Sequence, residues 1–155
     1  MFVTNHVLAG AAIGHRWADQ PATAFLVGFA SHLAMDSVPH WGCAIDTPEG
    51  RDRFLRAARR DGVLGLAVLG GVLLTTGQDR RVATIAAVTG SVLLDLDKPM
   101  EHFFGVNPFP RLVQRFHGWV QRESSGWMPA EVATGSLLAL ADLARIRSDR
   151  RRGVS

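Results

Sequence analysis

Residues 62–77 read GVLGLAVLGGVLLTTG, sixteen positions without a formal charge, and they decide the fold class. The run is too long for an ordinary strand and carries no apolar/polar alternation, so it reads as a helix. A helix with no polar face must be wrapped on every side, by protein or by lipid. Working outward, residues 82–94 (VATIAAVTGSVLL) form a second run nearly as apolar, closed by Asp95-Leu96-Asp97-Lys98-Pro99. Upstream, Pro21 suits the first turn of a helix through TAFLVGFASHLAMDSV, and the chain before it, residues 3–17, is rich in Ala and Gly. Downstream, residues 129–146 form a fifth helical stretch that passes into an Arg-rich tail, 145–155, expected to be disordered or to lie against lipid headgroups. No hairpin pattern interrupts these segments. The expectation is an all-α fold: one domain over residues 1–155, a compact bundle of about five helices and no sheet.

Composition narrows the field. With 47% hydrophobic and 20% charged residues in 155, the chain is no disordered segment. The single cysteine, Cys43, excludes a disulfide framework and any multi-cysteine zinc ribbon. The apolar runs fall at or under the roughly 20 residues of a membrane span. A domain of this size, however, buries only about 70% of the surface that its chain could expose, which makes two fully wrapped helices hard to supply from within. Lipid removes that difficulty, and the arginines between 51 and 60 suit anionic headgroups. Membrane embedding is therefore expected, with membrane lipids as partners. The short basic run 145–152 is explained as well by headgroups as by nucleic acid, which is not expected as a partner.

The chemistry concentrates in Ser31-His32-Leu33-Ala34-Met35-Asp36-Ser37-Val38-Pro39-His40. His32 and Asp36, four apart, share one helix face about one turn from each other, the spacing at which a helix offers two ligands to one divalent ion. His40 would stand too far along an unbroken helix, but Pro39 ends the helix and lets the chain bend His40 back. For a lone pair of this kind, a carboxylate orienting a buried imidazole is the commoner outcome. This pair is accompanied by His6 in the first apolar stretch, by Asp95 and Asp97 after the fourth, and by His102 and His117 in the long connection 98–128. Buried ionisable groups are costly, and a shared cation offsets several at once. Asp95 and Asp97, two apart on a helix, should not both face one site, and Asp95 is the better placed. Glu101-His102 and His117 are further candidate ligands, with surface positions in a loop as the commoner outcome for such residues. Asp61 reads as a cap on the third helix.

SHLAMDSVPHWG, with TNHVLAGAAIG near the start and LLDLD later, resembles a family of small inner-membrane-associated proteins described as metal-dependent hydrolases. The His-x-x-x-Asp helix is also similar to a zinc-dependent phospholipase C or S1-type nuclease signature. The resemblance implies a cytoplasmic (inner) membrane location and carries His6, His32, Asp36 and, less directly, Asp95 over as metal ligands. It covers residues 4–42 well and 82–97 loosely.

The expected function is thus a membrane-associated, metal-dependent hydrolase of a phosphoester or ester, a phosphorylated lipid among the candidates. Zinc is the ion that suits a His/carboxylate set. His6, His32 and Asp36 are its expected ligands, with His40 or Asp95 completing the shell. Asp95, where it is not a ligand, is the expected acceptor of the water's proton. The alternative is a non-catalytic helical membrane protein with a structural metal site or a buried His/Asp network. No nucleophile elbow, phosphate loop or dinucleotide fingerprint occurs.

Overall fold

The structure is a computed structural model that describes residues 1–43 and 45–151, and of Arg150 the backbone alone. Among these residues it is all-α, with seven helices: α1 (Val3–Arg16), α2 (Pro21–Asp36), α3 (Pro48–Thr75), α4 (Gln78–Val92), α5 (Asp97–Phe104), α6 (Arg111–Val120) and α7 (Met128–Arg151). The two helices beyond the expected five, α5 and α6, fold out of the long connection. A two-residue parallel bridge, β1 (His40–Trp41) with β2 (Glu123–Ser124), is the one departure from an all-helical pattern. The Arg-rich segment 145–151 continues α7 as helix, while residues 152–155 lie outside the described range.

Membrane embedding does not survive, and with it go the inner-membrane location and the spanning helices. No helix among the described residues is long and apolar enough to cross a membrane. The apolar run that opened the sequence reading is only the second half of α3, whose first half carries Arg51, Arg53, Arg56, Arg59 and Arg60. From Gly62 to the helix end at Thr75 it covers about 21 Å at 1.5 Å per residue, against a hydrocarbon core of about 30 Å. Nor is α3 wrapped: only Gly65 and Val72 are buried, and Val63, Leu66 and Leu74 are 70–84% exposed.

The core lies instead where α4 packs against α1 and α2. It is built of small residues, Ala24, Ala83 and Ala87, with Ile13 and Trp17 against them. Gly28 of α2 and Gly90 of α4 set the spacing. A Cβ on Gly28 would stand 2.2 Å from the Ala87 carbonyl oxygen, and one on Gly90 2.2 Å from that of Phe25. The two backbones touch, which only glycine at both positions allows.

Polar side chains tie the outer helices to this core. Asp61 does not cap its own helix. Its carboxylate accepts from the Val3 N–H at 2.6 Å and from the Thr4 N–H and hydroxyl, so α3 caps the first turn of α1. Glu131 of α7, 2% exposed, accepts from the Phe2 and Trp41 N–H groups and from the Asn5 amide, joining α1, β1 and α7.

Candidate metal centre

Three elements converge beside the core. His6 projects from α1, His32 and Asp36 from the last turns of α2, and Asp95 from a single 3-10 turn, Leu94–Leu96, that follows α4. One ligand atom from each of the four lies within 4.8 Å of all the others, the arrangement of a group that could hold a metal ion. The three α1 and α2 side chains are fully buried. His6 Nε2 stands 3.3 Å from Asp36 Oδ1 and 3.5 Å from Asp95 Oδ2, and His32 Nε2 stands 3.4 Å from Asp36 Oδ2.

Local hydrogen bonds set the ring orientations. His32 Nδ1 donates to the Ser91 carbonyl at 2.8 Å, which leaves a bare lone pair on Nε2. Burial lowers the His32 pKa and keeps the ring neutral. His6 stacks on His32 with ring centroids 4.4 Å apart, and neither of its ring nitrogens has a hydrogen-bond partner. Asp95 Oδ2 is likewise buried and unpartnered. Orphaned buried polar atoms facing one another across 3.5 Å are costly to keep, and a cation between them satisfies both.

His117 of α6 belongs to the same cluster, although it reads as a loop position in the sequence. Its Nδ1 is bonded to Asp97 Oδ2 at 3.0 Å, and its Nε2 lies 3.1 Å from His32 Nε2 and 3.3 Å from Asp36 Oδ2. Burial works against the charged ring, but the bonds to Asp36 and Asp97 outweigh it and push the pKa up to about 9. Two Nε2 atoms 3.1 Å apart need something positive between them, and the His117 proton supplies it. The β1–β2 bridge brings α6 here: Arg122 N–H donates to the Asp36 carbonyl, and His40 N–H to that of Arg122. Burial alone would raise the Asp36 carboxyl, but His117 and His6 beside it hold it well below the usual carboxylate range. Asp36 Oδ1 also accepts from the Met1 amino group at 2.9 Å, and Oδ2 from the Gln121 amide.

Two expectations need restating. His40, expected as a ligand, is not in the four-residue group: after α2 the chain enters β1, and its Nδ1 bonds to the Val38 carbonyl at 2.9 Å. The ring thus braces the turn that Pro39 creates. Asp95 and Asp97 both serve the cluster, because the 3-10 turn gives way to α5 between them and the opposite-face rule of a continuous helix does not apply. The His102 ring lies tilted against Phe54, centroids 5.1 Å apart, and is not in the four-residue group.

The chain was compared with family models, with curated proteins and with solved structures, and no match was found in any of the three.

Proposed function

We propose that the chain is a metal-dependent hydrolase, with zinc held by His6, His32, Asp36 and Asp95, that cleaves an ester or phosphoester. The observation that carries this reading is the convergence of four ligand atoms within 4.8 Å, two of them buried with no other partner. Three of the contacts, at 3.3–3.5 Å, are near the spacing of about 3.3–3.6 Å between neighbouring ligands of tetrahedral zinc, within a group whose ligand atoms all lie within 4.8 Å of one another. Zinc bound there would lower the pKa of a coordinated water toward 7.

His117 supplies the proton traffic in this reading. Asp97 holds its Nδ1–H, so Nε2 is the atom that exchanges protons at the edge of the centre. As the water oxygen bonds to phosphorus or to the carbonyl carbon, Nε2 accepts the water's proton. The ester oxygen then leaves and takes that proton from Nε2. A zinc ion at His32 Nε2 would disfavour the charged form of His117, 3.1 Å away, and so lower its pKa. Asp95, expected as the base, serves here as a ligand.

The test is elemental analysis of the purified wild type, His32→Ala, Asp36→Ala and His117→Gln, with hydrolysis of 4-nitrophenyl phosphate and acetate by each. The wild type is expected to carry zinc and the first two variants to lose it. His117→Gln is expected to keep the metal while its rate falls about 10²–10⁴-fold. Equal metal in all four refutes the ligands. Zinc bound with no turnover of either ester replaces the hydrolase reading with a structural site.

A further inference from the structure

A cavity of about 710 Å³ lies between α3 and the elements that carry the centre. That volume is within the roughly 300–1,000 Å³ of small-molecule sites. On α3 its wall is one stripe, Phe54, Ala58, Gly62, Gly65, Leu66 and Leu69, whose spacing keeps it on one helix face over about 22 Å. Facing it are Phe2, Val7, Val88, Val92 and Phe103, so most of the lining is apolar. The polar lining falls mainly into one connected set. Asp95 is a member of the four-residue group; Lys98 Nζ donates to Gln121 Oε1 at 3.0 Å and pairs with Glu123; and the Gln121 amide contacts Asp36 and His117. Of the other charged lining residues, Asp61 is engaged by the first turn of α1, and the Arg59 guanidinium lies over the Phe103 ring, 5.5 Å from its centroid.

A long apolar chamber that reaches the centre beside the Lys98–Glu123 pair selects for a particular kind of molecule. We infer that the substrate is an anionic amphiphile, a phosphoester of a single long-chain alcohol. Its alkyl chain lies along the α3 stripe and its phosphate at Lys98 and the His/Asp centre. This rests on the hydrolase reading and adds the class of substrate to it. The elongated stripe suits a linear chain. The phosphoester head follows from the ion of the hydrolase reading, which would supply the positive charge, since Lys98, the chain's sole lysine, is already paired with Glu123.

Calorimetric titration of the zinc-loaded protein with ethyl, butyl, hexyl, octyl and decyl phosphate, each below its micelle concentration, tests the inference. Affinity is expected to rise about fourfold per added methylene, the gain from burying each one. Decyl glucoside, with the same tail and a neutral head, is expected to bind at least tenfold more weakly than decyl phosphate. Ala58→Trp and Leu69→Trp place an indole in the stripe, far from the ligands. Either is expected to hold octyl and decyl phosphate at least tenfold more weakly, with ethyl phosphate affinity and zinc content unchanged. Two positions are used so that a variant that does not fold leaves the other. Affinity that is flat from ethyl to decyl with zinc bound, a slope that survives both tryptophans, or equal binding of the glucoside overturns the inference and leaves the hydrolase reading intact. A slope that persists in a protein that binds no zinc sinks the hydrolase reading and leaves the chain-binding chamber standing.

Discussion

At the scale of single residues, the centre is a contest between one proton and one cation. His117 keeps its proton up to about pH 9 because Asp36 and Asp97 hold it, and that proton occupies the gap to His32 Nε2. A metal ion entering the group acts against it, since a positive charge at His32 Nε2 disfavours the charged ring of His117 beside it. Loading the metal-free protein with zinc at pH 7.5 is therefore expected to release about one proton from this ring. The number is read from calorimetric enthalpies in buffers of different ionisation heat. His117→Gln should lower the release by about that amount, and a wild type and variant that release equally would show that the ring is not coupled to the ion. His6, His32 and Asp36 were legible in the sequence because spacing and apolar surroundings made their burial improbable without a partner. His117 was not, because it sits in a connection that reads as loop. The signal was present in RLVQRFHGWV after Pro110, where Leu112, Val113, Phe116 and Val120 follow a helical period, and α6 is the helix they mark.

At the scale of elements, the site depends on how closely α2 and α4 approach. His32 is oriented by the Ser91 carbonyl of α4, and Asp95 follows that helix directly, so the gap between α2 and α4 sets the gap between ligands. Gly90→Ala pushes a methyl into the Phe25 carbonyl and must part the helices. The expected cost is about 1–3 kcal/mol of unfolding free energy. Zinc affinity should fall about 10–100-fold, since the bond that orients His32 goes with it. Gly71→Ala is the control: the position lies within α3, a Cβ there meets nothing within 4 Å, and the helix should gain about 0.5–1 kcal/mol. Urea unfolding and competitive zinc titration measure both variants, and a Gly90→Ala protein as stable as Gly71→Ala would contradict the contact. The sequence showed these helices as apolar runs but not their lengths. Arg51–Arg60 reads as a separate short amphipathic helix because its charge differs so sharply from residues 62–77 and Asp61 between them reads as a cap. Yet no Pro separates them, and the Asp61 carboxylate is turned to α1. With nothing to stop it, the helix continues from Pro48 to Thr75. The step from apolar run to membrane span failed at that junction.

For the whole molecule, stability and the centre are linked through protons. The core is small alanines and touching backbones, so the three segments that meet at one cluster carry an unusual share of what holds the fold together. In the metal-free protein the His117 pKa is raised, from 6.5 to about 9. The folded chain then holds more protons than the unfolded chain in this interval. The stabilisation is complete below pH 6.5 and is lost as the pH climbs through 9. Asp36 has the opposite sign: its depressed pKa stabilises above the ordinary carboxylate value of 3.8 and ceases to do so as acid protonates it. His32, whose pKa burial lowers, also costs stability as the pH falls below 6.5. The metal-free protein is thus expected to be most stable near pH 6.5 and to lose melting temperature steadily toward pH 9. The zinc-loaded protein should run the other way over the same interval, because each proton lost favours the ion. With free zinc at 100 times its dissociation constant the gain is about 2.7 kcal/mol. In a domain of this size that raises the melting temperature by about 5–10 °C. Thermal unfolding at pH 6 and pH 9, with chelator and with buffered zinc, compares the two courses directly. If both forms lose melting temperature in parallel, the ion does not replace the proton on His117 and lies outside the His/Asp cluster.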